Sequence, residues 1–505
     1  MESHHRDPES IRLSKSRFVS GLQCLKRLYL SVHQPELAGE PDEQQTSRFT
    51  QGNEVGLLAQ RRFREGVTVG FEQGAAAALT ETAALLQNPS VGAIFEGAFL
   101  HRNTLVRVDV LERRRGNRWR LIEVKSSLDL KAHYLQDLAI QYHVLKNCGL
   151  DMTSACLMHL NRDYRYNGHQ YHVAELFTIR NLTRQVQRIA AGLAALLIEQ
   201  FKMLAVTTAP EISPGPQCTE PNVCEFFHHC NTELPEHHIN SLPHLSAKKR
   251  LAFGELGVNL IEDIPEDFKL SELQDRVRTA VRTGQAWISP SLGKELARLK
   301  APLYFMDFES IYPAIPRHAG MRPYAQIPFQ WSVHRRLETN GELEHAEYLA
   351  DDDRDPRLDF IRSLCEAVGT RGKIVVYNAS FESTRLRDLA EWLPAYRDRI
   401  EKIRARLWDL LPFVKLHVYH PQFQGSFSIK TVLPALTGMT YDGMEVSQGD
   451  EAGVAWERMV GGGVGTAERI RIRDALLAYC GQDTVAMLRV LEQLNVLSTP
   501  ISVTV

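Results

Sequence analysis

The spacing of apolar residues changes twice along the chain and separates it into three blocks. In residues 11–235, stretches with apolar positions three and four apart surround a β-type alternation near 91–125. Residues 301–497 alternate short apolar runs with amphipathic stretches, and residues 236–300 contain two short helical patterns. Such alternation of helical and strand periodicity favours α/β sheets. The sequence therefore predicts two α/β domains, 11–235 and 301–497, joined by a helical connector over 236–300.

The third block has the clearest strand pattern. PLYFMDFES, PFQWSVHRRLE and KIVVYN each hold a short apolar segment next to turn-forming residues, which predicts three strands. A helix is predicted over 356–368, between the second and third of these strands. In the connector, SAKKRLAFGELGV and KLSELQDRVRTAV predict two short helices.

The composition is that of a globular protein. The 505 residues are 44% hydrophobic and 24% charged, and no apolar run reaches the ~18 residues of a spanning helix. The polar start MESHHRDPES does not resemble a signal peptide. We therefore expect a cytoplasmic protein without a membrane segment. The net charge of -2 gives no overall attraction to nucleic acid, so binding would depend on basic stretches such as RRFREG, ERRRGNR and SAKKR.

Two alternating runs, TLVRVDVLERR and RWRLIEVK, flank Arg-Gly-Asn and predict a β-hairpin. A two-residue loop would pair Asp109 with Val124 and place Asp109 on the face opposite Glu123 and Lys125. A three-residue loop would pair Asp109 with Glu123 and gather both carboxylates and the lysine on one face. We predict the three-residue loop, because it explains why charged residues occupy alternate positions of an apolar strand.

Neighbouring carboxylates repel and raise each other's pKa unless a divalent cation lies between them. Mg²⁺ or Mn²⁺ accepts such ligands and lowers the pKa of a bound water, while an ammonium group can orient that water or stabilise charge on a phosphate. Asp109, Glu123 and Lys125 are therefore candidates for a site that cleaves phosphodiester bonds.

These residues resemble a known nuclease motif. RVDVL and IEVKSS are similar to the PD-(D/E)XK nuclease superfamily, with Asp109, Glu123 and Lys125 at the motif positions. The next helix, HYLQDLAIQYHVLKN, resembles the glutamine-bearing helix of the RecB-like branch, which implies a catalytic role for Gln141. The resemblance implies a restriction-endonuclease-like fold for residues 11–235.

The sequence departs from this family pattern at two places. Leu145 stands where a tyrosine is expected, with Tyr142 next to the glutamine instead. Gly56 stands where many relatives carry a metal-binding histidine, and Glu54 is the candidate substitute ligand.

Eight cysteines occur in a chain expected to be intracellular, where disulfides are rare. Three form C-x5-C-x5-C in QCTEPNVCEFFHHC, and zinc sites usually contain a closer C-x2-4-C pair. An ordinary [4Fe-4S] cluster needs four thiolates, and SKSRFVSGLQCLKRLYL supplies a fourth cysteine far upstream. Buried structural cysteines are the alternative interpretation.

One cysteine before the predicted nuclease core and three after it resemble the iron-staple nucleases of the RecB-like class. The resemblance implies a [4Fe-4S] cluster held by four residues: Cys24, Cys218, Cys224 and Cys230. His228 and His229 are expected at the surface. The remaining cysteines are expected to be core thiols: Cys148, Cys156, Cys365 and Cys480.

A second acidic group lies in the third block. In YFMDFES, strand periodicity places Asp307 and Glu309 on one face. The turn after a later strand leads to Glu382, and Tyr479 and Asp483 are four apart on a helix. Four carboxylates of this kind can hold two divalent ions that clamp the attacking and leaving oxygens of a phosphodiester.

These motifs resemble the DEDD exonucleases of the DnaQ-like, RNase H-fold class. Tyr479 is similar to the tyrosine of the DEDDy branch, which implies that its phenol positions the attacking water. Glu382 departs from the usual aspartate. Asp409 is interpreted as a structural strand-end residue, and Lys430 as a contact to the phosphate backbone.

Together the two halves resemble a bacterial class of two-domain proteins with a RecB-like nuclease domain and a C-terminal RNase H-like domain. The resemblance implies a nuclease that acts on DNA, single-stranded or at ends, with the second site running 3′ to 5′. One alternative is an RNA-processing exonuclease, and another is a nucleic-acid-binding protein whose sites no longer turn over. A helicase or a repair or defence partner is expected by analogy alone.

Overall fold

The computed structural model of the protein describes residues 11–41, 43–231, 234–338 and 341–499. The amino-terminal stretch on which the signal-peptide expectation rests lies outside them. The fold is mixed α/β and divides into two compact units. The first unit is Met1–Thr232 with Pro313–Ala325, and the second is Glu233–Tyr312 with Gln326–Val505.

The first unit is built on a mixed sheet in the order β2-β3-β4-β5-β6-β7, with β1 paired to β4. The pairs β2–β3, β5–β6 and β1–β4 are parallel, and the others are antiparallel. Its strands are β1 (Leu13–Ser14), β2 (Gly66–Thr68), β3 (Ala93–His101), β4 (Thr104–Arg114), β5 (Arg118–Lys125), β6 (Met152–Leu160) and β7 (Phe177–Asn181).

Helices cover both faces of this sheet. They are α1 (Lys15–Gln23), α2 (Leu25–His33), α3 (Glu43–Gln60), α4 (Ala75–Gln87), α5 (Tyr134–Asn147), α6 (Val173–Leu176), α7 (Thr183–Ala190), α8 (Leu193–Leu204) and α9 (Phe227–Cys230). Strand alternation sends Leu121 into the core with Leu138 of α5, and the next residue, Ile122, into the core with Val55 of α3. Glu123, two residues after Leu121, therefore faces α5.

The second unit contains a five-stranded sheet in the order β11-β10-β9-β12-β13. Among the described strands of this sheet, β10 runs antiparallel to the other four, which are parallel to one another. The strands of the unit are β8 (Trp287–Ile288), β9 (Leu303–Ile311), β10 (Ile327–Arg336), β11 (Leu343–Leu349), β12 (Lys373–Val376), β13 (Leu407–Asp409) and β14 (Val418–Tyr419), and β8 pairs with β14. The three strands expected in this block are present as β9, β10 and β12.

The helices of the second unit include the expected helix over 356–368 and the two expected in the connector. They are α10 (Ala247–Glu255), α11 (Glu272–Thr283), α12 (Leu292–Leu296), α13 (Arg357–Ala367), α14 (Ser380–Trp392), α15 (Arg397–Arg404), α16 (Leu410–His417), α17 (Ile429–Thr437), α18 (Gly449–Val460) and α19 (Thr466–Leu497). In the described part of the chain, none is both long and apolar enough to cross a membrane.

Residues 236–300 are built into the second unit. Ser271 and Gln274 form a capping box that starts α11, and Gly284 ends it in the left-handed conformation. Gly425, at φ 80°, lies so close to the Ser241 carbonyl oxygen that a Cβ there would be 1.7 Å from it. Only glycine fits such an approach.

Pro313–Ala325, which follows β9 in the chain, belongs to the first unit. The Ala314 N–H donates to the Gln51 side chain at 3.0 Å, and the Tyr324 hydroxyl donates to the Ser126 carbonyl oxygen at 2.5 Å. Ala314 is also part of the core that contains α3. This packing of residues distant in sequence was not indicated by any local pattern.

Candidate functional site

The β4–β5 hairpin sets Asp109 opposite Glu123. Arg114 pairs with Arg118, so the loop has three residues, as predicted. The same register, continued along both strands, aligns the two acidic residues. The Asp109 carboxylate accepts a hydrogen bond from the Val124 backbone N–H at 2.7 Å. The structure thus gathers the two carboxylates that the hairpin geometry was expected to gather.

Glu123 is surrounded by donors. Lys125 Nζ lies 2.9 Å from Oε1, and Lys15 Nζ lies 2.9 Å from Oε1 and 3.2 Å from Oε2. Gln141 Nε2 donates to Oε2 at 2.6 Å. Burial alone would raise the pKa of Glu123, whose side chain is 1% exposed, but the two ammonium groups hold its pKa below the ordinary range. Glu123 is therefore ionised at neutral pH.

Asp109 shows the opposite shift. Desolvation and then the Glu123 charge raise the pKa of its carboxyl group to about 7, against the lowering effect of Lys15. On β3, Phe95 pairs with Val110 and Gly97 pairs with Val108. Glu96, between Phe95 and Gly97, therefore lies opposite Asp109. Burial also raises the pKa of Glu96. Ionisation of Asp109 is therefore unfavourable in the metal-free site, and a cation bound there would favour the ionised form.

Gln141 and Lys125 are held by their surroundings. Gln141 Nε2 also donates to the Asp137 carbonyl oxygen at 2.9 Å, and Lys125 Nζ donates to the Asp137 carboxylate at 2.5 Å. Among the described residues, Gln141 Oε1 has no hydrogen-bond partner although it is buried. Tyr142 accepts a hydrogen bond from Gln187 at 3.0 Å, which directs it to α7 rather than to the carboxylates.

Glu54 does not join this group. It is exposed and lines, with Gln51, Tyr171 and other residues, a pocket that contains neither Asp109 nor Glu123. The spacing between Glu54 and Gly56 puts them on different sides of α3. Leu145, at the second departure from the family pattern, is fully buried in the core.

In the second unit, the side chains of β9 alternate between an apolar face and an acidic face. Tyr304, Met306 and Phe308 pack in the core that contains α13. Asp307 and Glu309 point to the opposite face. This is the arrangement that the motif YFMDFES predicted.

Helix α19 meets the acidic face of β9. On the neighbouring strand β10, Gln330 donates a hydrogen bond to the Leu476 carbonyl oxygen at 2.7 Å. The hydroxyl groups of Ser332 and Thr484 lie 3.0 Å apart. These contacts fix the depth of α19 against the sheet and direct Asp483 towards the acidic strand.

Three carboxylates meet at this point. Asp307, Glu309 and Asp483 each offer one oxygen, and these atoms all lie within 4.8 Å of one another. Burial raises the pKa of all three, and repulsion among them raises the pKa of Asp307 and Glu309 further. Three such oxygen donors are able to ligate a divalent cation.

Lys430 and two tyrosines complete the group. Lys430 Nζ lies 3.4 Å from the Tyr479 hydroxyl oxygen and also donates to the Ser447 carbonyl oxygen. The Tyr441 hydroxyl donates to Asp483 at 2.5 Å. Burial and then the Asp483 charge raise the pKa of both tyrosines, so their hydroxyl groups remain protonated donors. Lys430 supplies the positive charge that opposes the carboxylates.

Glu382 lies near this group but outside the three-carboxylate set. The residue is 2% exposed, and its Oε2 has no hydrogen-bond partner among the described residues. Burial and the charge of Asp307 raise its pKa well above the ordinary range. An orphaned buried carboxylate oxygen next to Asp307 is suited to a second cation.

Asp409 positions the helix that carries Glu382. Its carboxylate accepts hydrogen bonds from the backbone N–H groups of Asn378 and Ala379, both at 2.9 Å, and from Leu411 at 3.1 Å. It thereby caps α16 and fixes the turn into α14. This is the structural role that the sequence indicated for Asp409.

The four cysteines of the predicted cluster line one small pocket of the first unit: Cys24, Cys218, Cys224 and Cys230. All four are free thiols. Cys24 is the C-cap residue of α1, and the backbone N–H of Cys224 donates to the Cys218 carbonyl oxygen at 2.9 Å. Lys26 and Arg27 also line this pocket. Arg27 is paired with Glu225 at 2.7 Å, so Lys26 is the cation next to the four thiols whose charge no described ion pair offsets.

The other cysteines are not all core thiols. Cys156 and Cys480 are buried and Cys365 is partly buried, but Cys148 is exposed. Cys148 follows the last residue of α5, where its Sγ contacts the Leu100 carbonyl oxygen at 3.5 Å. The expectation of a core position was wrong for Cys148, because the carboxyl-terminal end of α5 reaches the surface. His228 and His229 are exposed, as expected.

Sequence reasoning missed Lys15, Asp137 and Tyr441. Asp137 could have been found, since it lies one helical turn before Gln141 and shares its face. Lys15 reaches Glu123 only because β1 pairs with β4. Tyr441 lies 42 residues before Asp483, and no local pattern marks it.

The raised pKa of Asp109 predicts a specific pH dependence in metal-free protein. Its folded-state pKa of about 7 exceeds the unfolded value of about 3.9, so its contribution to stability is present at low pH and is lost as pH rises through 7. Asp109→Asn should reduce the fall in melting temperature between pH 6 and pH 8, measured by calorimetry with a chelator present. Asp137→Asn, which removes a partner of Lys125, should lower stability without this change in slope. If the melting temperature of Asp109→Asn fell between pH 6 and pH 8 as much as that of the parent, the raised pKa of Asp109 would be contradicted.

Comparison with known proteins adds a family match that lies mostly in the second unit and includes Pro313–Ala325 of the first. Residues 304–428 match the family described as "Domain of unknown function (DUF2779)". The matched range contains Asp307, Glu309 and Glu382 and ends before α19.

Two curated relatives share part of the chain. "Uncharacterized protein UU173" of Ureaplasma parvum serovar 3 is 28% identical over 153 residues, covering 28% of this chain and 22% of that protein. "Uncharacterized protein MG366 homolog" of Mycoplasma pneumoniae is 28% identical over 174 residues, covering 31% of this chain and 26% of that protein. A solved structure described as the crystal structure of SSO0001 aligns with 46% of this chain and 91% of its own, at 15% identity and a TM-score of 0.23. The chain spans about a quarter of the length of the curated relatives it matches.

Proposed function

We propose that this chain is a metal-dependent nuclease with one phosphodiester-cleaving site in each unit. The observation that carries the proposal is the approach of Asp307, Glu309 and Asp483, whose ligand atoms lie within 4.8 Å of one another. Partly buried carboxylates at this separation repel unless a cation neutralises them. Their oxygen atoms suit Mg²⁺ or Mn²⁺.

At the second site, bound divalent ions would lower the pKa of a water molecule and stabilise the attacking and leaving oxygens. Asp307, Glu309 and Asp483 would hold one ion, and Glu382 with Asp307 would hold another. The Tyr479 hydroxyl, a protonated donor, would orient the attacking water. The ammonium group of Lys430, next to Tyr479, would stabilise negative charge on the phosphate.

At the first site, Asp109 and Glu123 would ligate the divalent ion. Lys125 would orient the attacking water or stabilise charge on the phosphate. Asp137 holds the Lys125 ammonium group at 2.5 Å, which limits its orientations. Gln141 donates to Oε2 of the Glu123 carboxylate at 2.6 Å and thereby limits its rotation.

Strand order supports this assignment. In the second unit, β9 is flanked by antiparallel β10 and parallel β12, an arrangement compatible with an RNase H-like fold. In the first unit, the β4–β5 hairpin is followed by α5 and by β6, which is parallel to β5. That order is compatible with a PD-(D/E)XK fold.

We infer that the four cysteines of the pocket hold a [4Fe-4S] cluster. Four thiolates are the number such a cluster requires, and the positive charge of Lys26 would offset part of its negative charge. The cluster would join the amino-terminal helices to the segment after α8, because Cys24 lies in the former and the other three cysteines in the latter.

The substrate that we favour is DNA, single-stranded or at ends. Arg115 and Arg118 at the β4–β5 turn are exposed and are available to contact phosphates. Arg113, in the same basic stretch, is used internally, since its guanidinium donates to the Leu86 carbonyl oxygen at 3.0 Å and lies over the Trp119 ring. RNA is the alternative substrate. A protein distinguishes RNA from DNA by contacts to the 2′-hydroxyl group, and we assign no side chain of the described residues to such a contact.

The activity is tested on the full chain with end-labelled single- and double-stranded DNA and single-stranded RNA, in Mg²⁺ or Mn²⁺. Lys125→Ala should lower the cleavage rate of the first site by about 100-fold or more, and Asp307→Asn should do the same for the second site. Each substitution removes a charged group from one site. The double variant should lose both activities.

The matched controls are Lys131→Ala and Asp359→Asn, which remove the same charges at exposed positions and should cleave like the parent. Parent-level cleavage by the double variant, or absence of cleavage of all three substrates by the parent, would contradict the proposal.

The cluster is tested by anaerobic purification and by assay of iron and sulfide. The parent should be brown and contain about four of each per chain. Cys224→Ser should lose most of the iron, whereas Cys148→Ser, at an exposed cysteine outside the pocket, should retain it. Stoichiometric zinc without iron in the parent would overturn the cluster assignment.

A further inference from the structure

Lys15 is a charged residue of the first site that the proposed chemistry does not use. It is the first residue of α1, directly after the N-cap Ser14, whose hydroxyl accepts a hydrogen bond from the Arg17 N–H. The pairing of β1 with β4 fixes this end of the helix against the sheet. The side chain of Lys15 therefore reaches Glu123 from a rigid base.

The ammonium group of Lys15 contacts both oxygens of Glu123, at 2.9 and 3.2 Å. The charges of Glu123 and Asp109 both act on it, so it lies in the negative field of the two carboxylates. That field is the one in which a divalent ion ligated by Asp109 and Glu123 would be held.

The two lysines of the site differ in their second partner. Lys125 is shared between Glu123 and Asp137, so it keeps a counter-charge when Glu123 binds another cation. The described ion pair of Lys15 is with Glu123. Its side chain is 23% exposed and long enough to swing towards solvent while α1 stays in place.

We propose that Lys15 is a built-in counter-ion of the Asp109–Glu123 pair, which a divalent ion must displace, so that Lys15 sets the metal affinity of the first site. The inference rests on the proposed metal role of these carboxylates. An ammonium group and a divalent ion at the same oxygens repel strongly in a partly buried setting. Lys15 thus stabilises the metal-free protein and weakens metal binding.

The test measures Mn²⁺ binding by titration with detection of free Mn²⁺ by electron paramagnetic resonance. The full chain carries Asp307→Asn, which disables the other proposed metal site, and Glu123→Gln in that background identifies binding at the first site. Lys15→Met should bind Mn²⁺ at this site at least about ten-fold more tightly than the Asp307→Asn parent. Lys15→Arg, which keeps the charge, and Lys131→Met, which removes an exposed one, should bind like the parent.

A stability measurement separates this role from a merely structural one. In chelator, Lys15→Met should melt at a lower temperature than the parent, because Glu123 and Asp109 lose a counter-charge. Saturating Mn²⁺ should raise its melting temperature by more than it raises that of the parent. Lys15→Gln provides a second neutral variant if Lys15→Met does not fold.

The outcomes are distinct. Equal or weaker Mn²⁺ affinity in folded Lys15→Met and Lys15→Gln would overturn the inference and leave the proposed metal site intact. Binding only in the neutral variants would support the inference. Absence of first-site binding in the parent and in both neutral variants would overturn both the inference and the proposed metal role of Asp109 and Glu123.

Discussion

The constraint on which both units depend is the cost of holding carboxylates close together away from water. Each unit places acidic side chains from separate segments on one face of a sheet and covers that face with a helix. Such an arrangement is stable only when positive charge, protons or hydrogen-bond donors compensate for the repulsion. The structure shows two different solutions to this problem.

In the first unit, the compensation comes from two ammonium groups. Glu123 is ionised because Lys15 and Lys125 flank it, while burial and the charge of Glu123 raise the pKa of Asp109. In the second unit, Lys430 supplies an ammonium group near the three carboxylates. The pKa values of Asp307 and Glu309 are nevertheless raised well above the ordinary range. Binding of a cation would therefore stabilise the carboxylates of the second unit more strongly than those of the first. Under the proposed function, this difference means that the two sites load metal at different concentrations.

The sequence predicted what depends on short-range periodicity. Strand alternation placed Asp307 with Glu309, a spacing of four joined Tyr479 to Asp483, and loop length decided the partner of Asp109. It did not predict contacts set by distant pairing: Lys15 depends on the β1–β4 ladder, and Pro313–Ala325 leaves the sheet of the second unit to pack in the first. The exposure of Cys148 was mispredicted for the same reason, since the packing of a helix end is not visible in its own sequence. The nuclease and cluster assignments remain proposals, supported by the convergence of side chains that the motifs singled out.

The central claim is that these carboxylates seat divalent ions, and anomalous diffraction from crystals soaked in Mn²⁺ tests it most directly. The account predicts an anomalous peak ligated by Asp307, Glu309 and Asp483, and a peak at Asp109 and Glu123 with the Lys15 side chain turned away. Crystals that show Asp307 and Asp483 apart, or that show no peak at either group in saturating Mn²⁺, would contradict it.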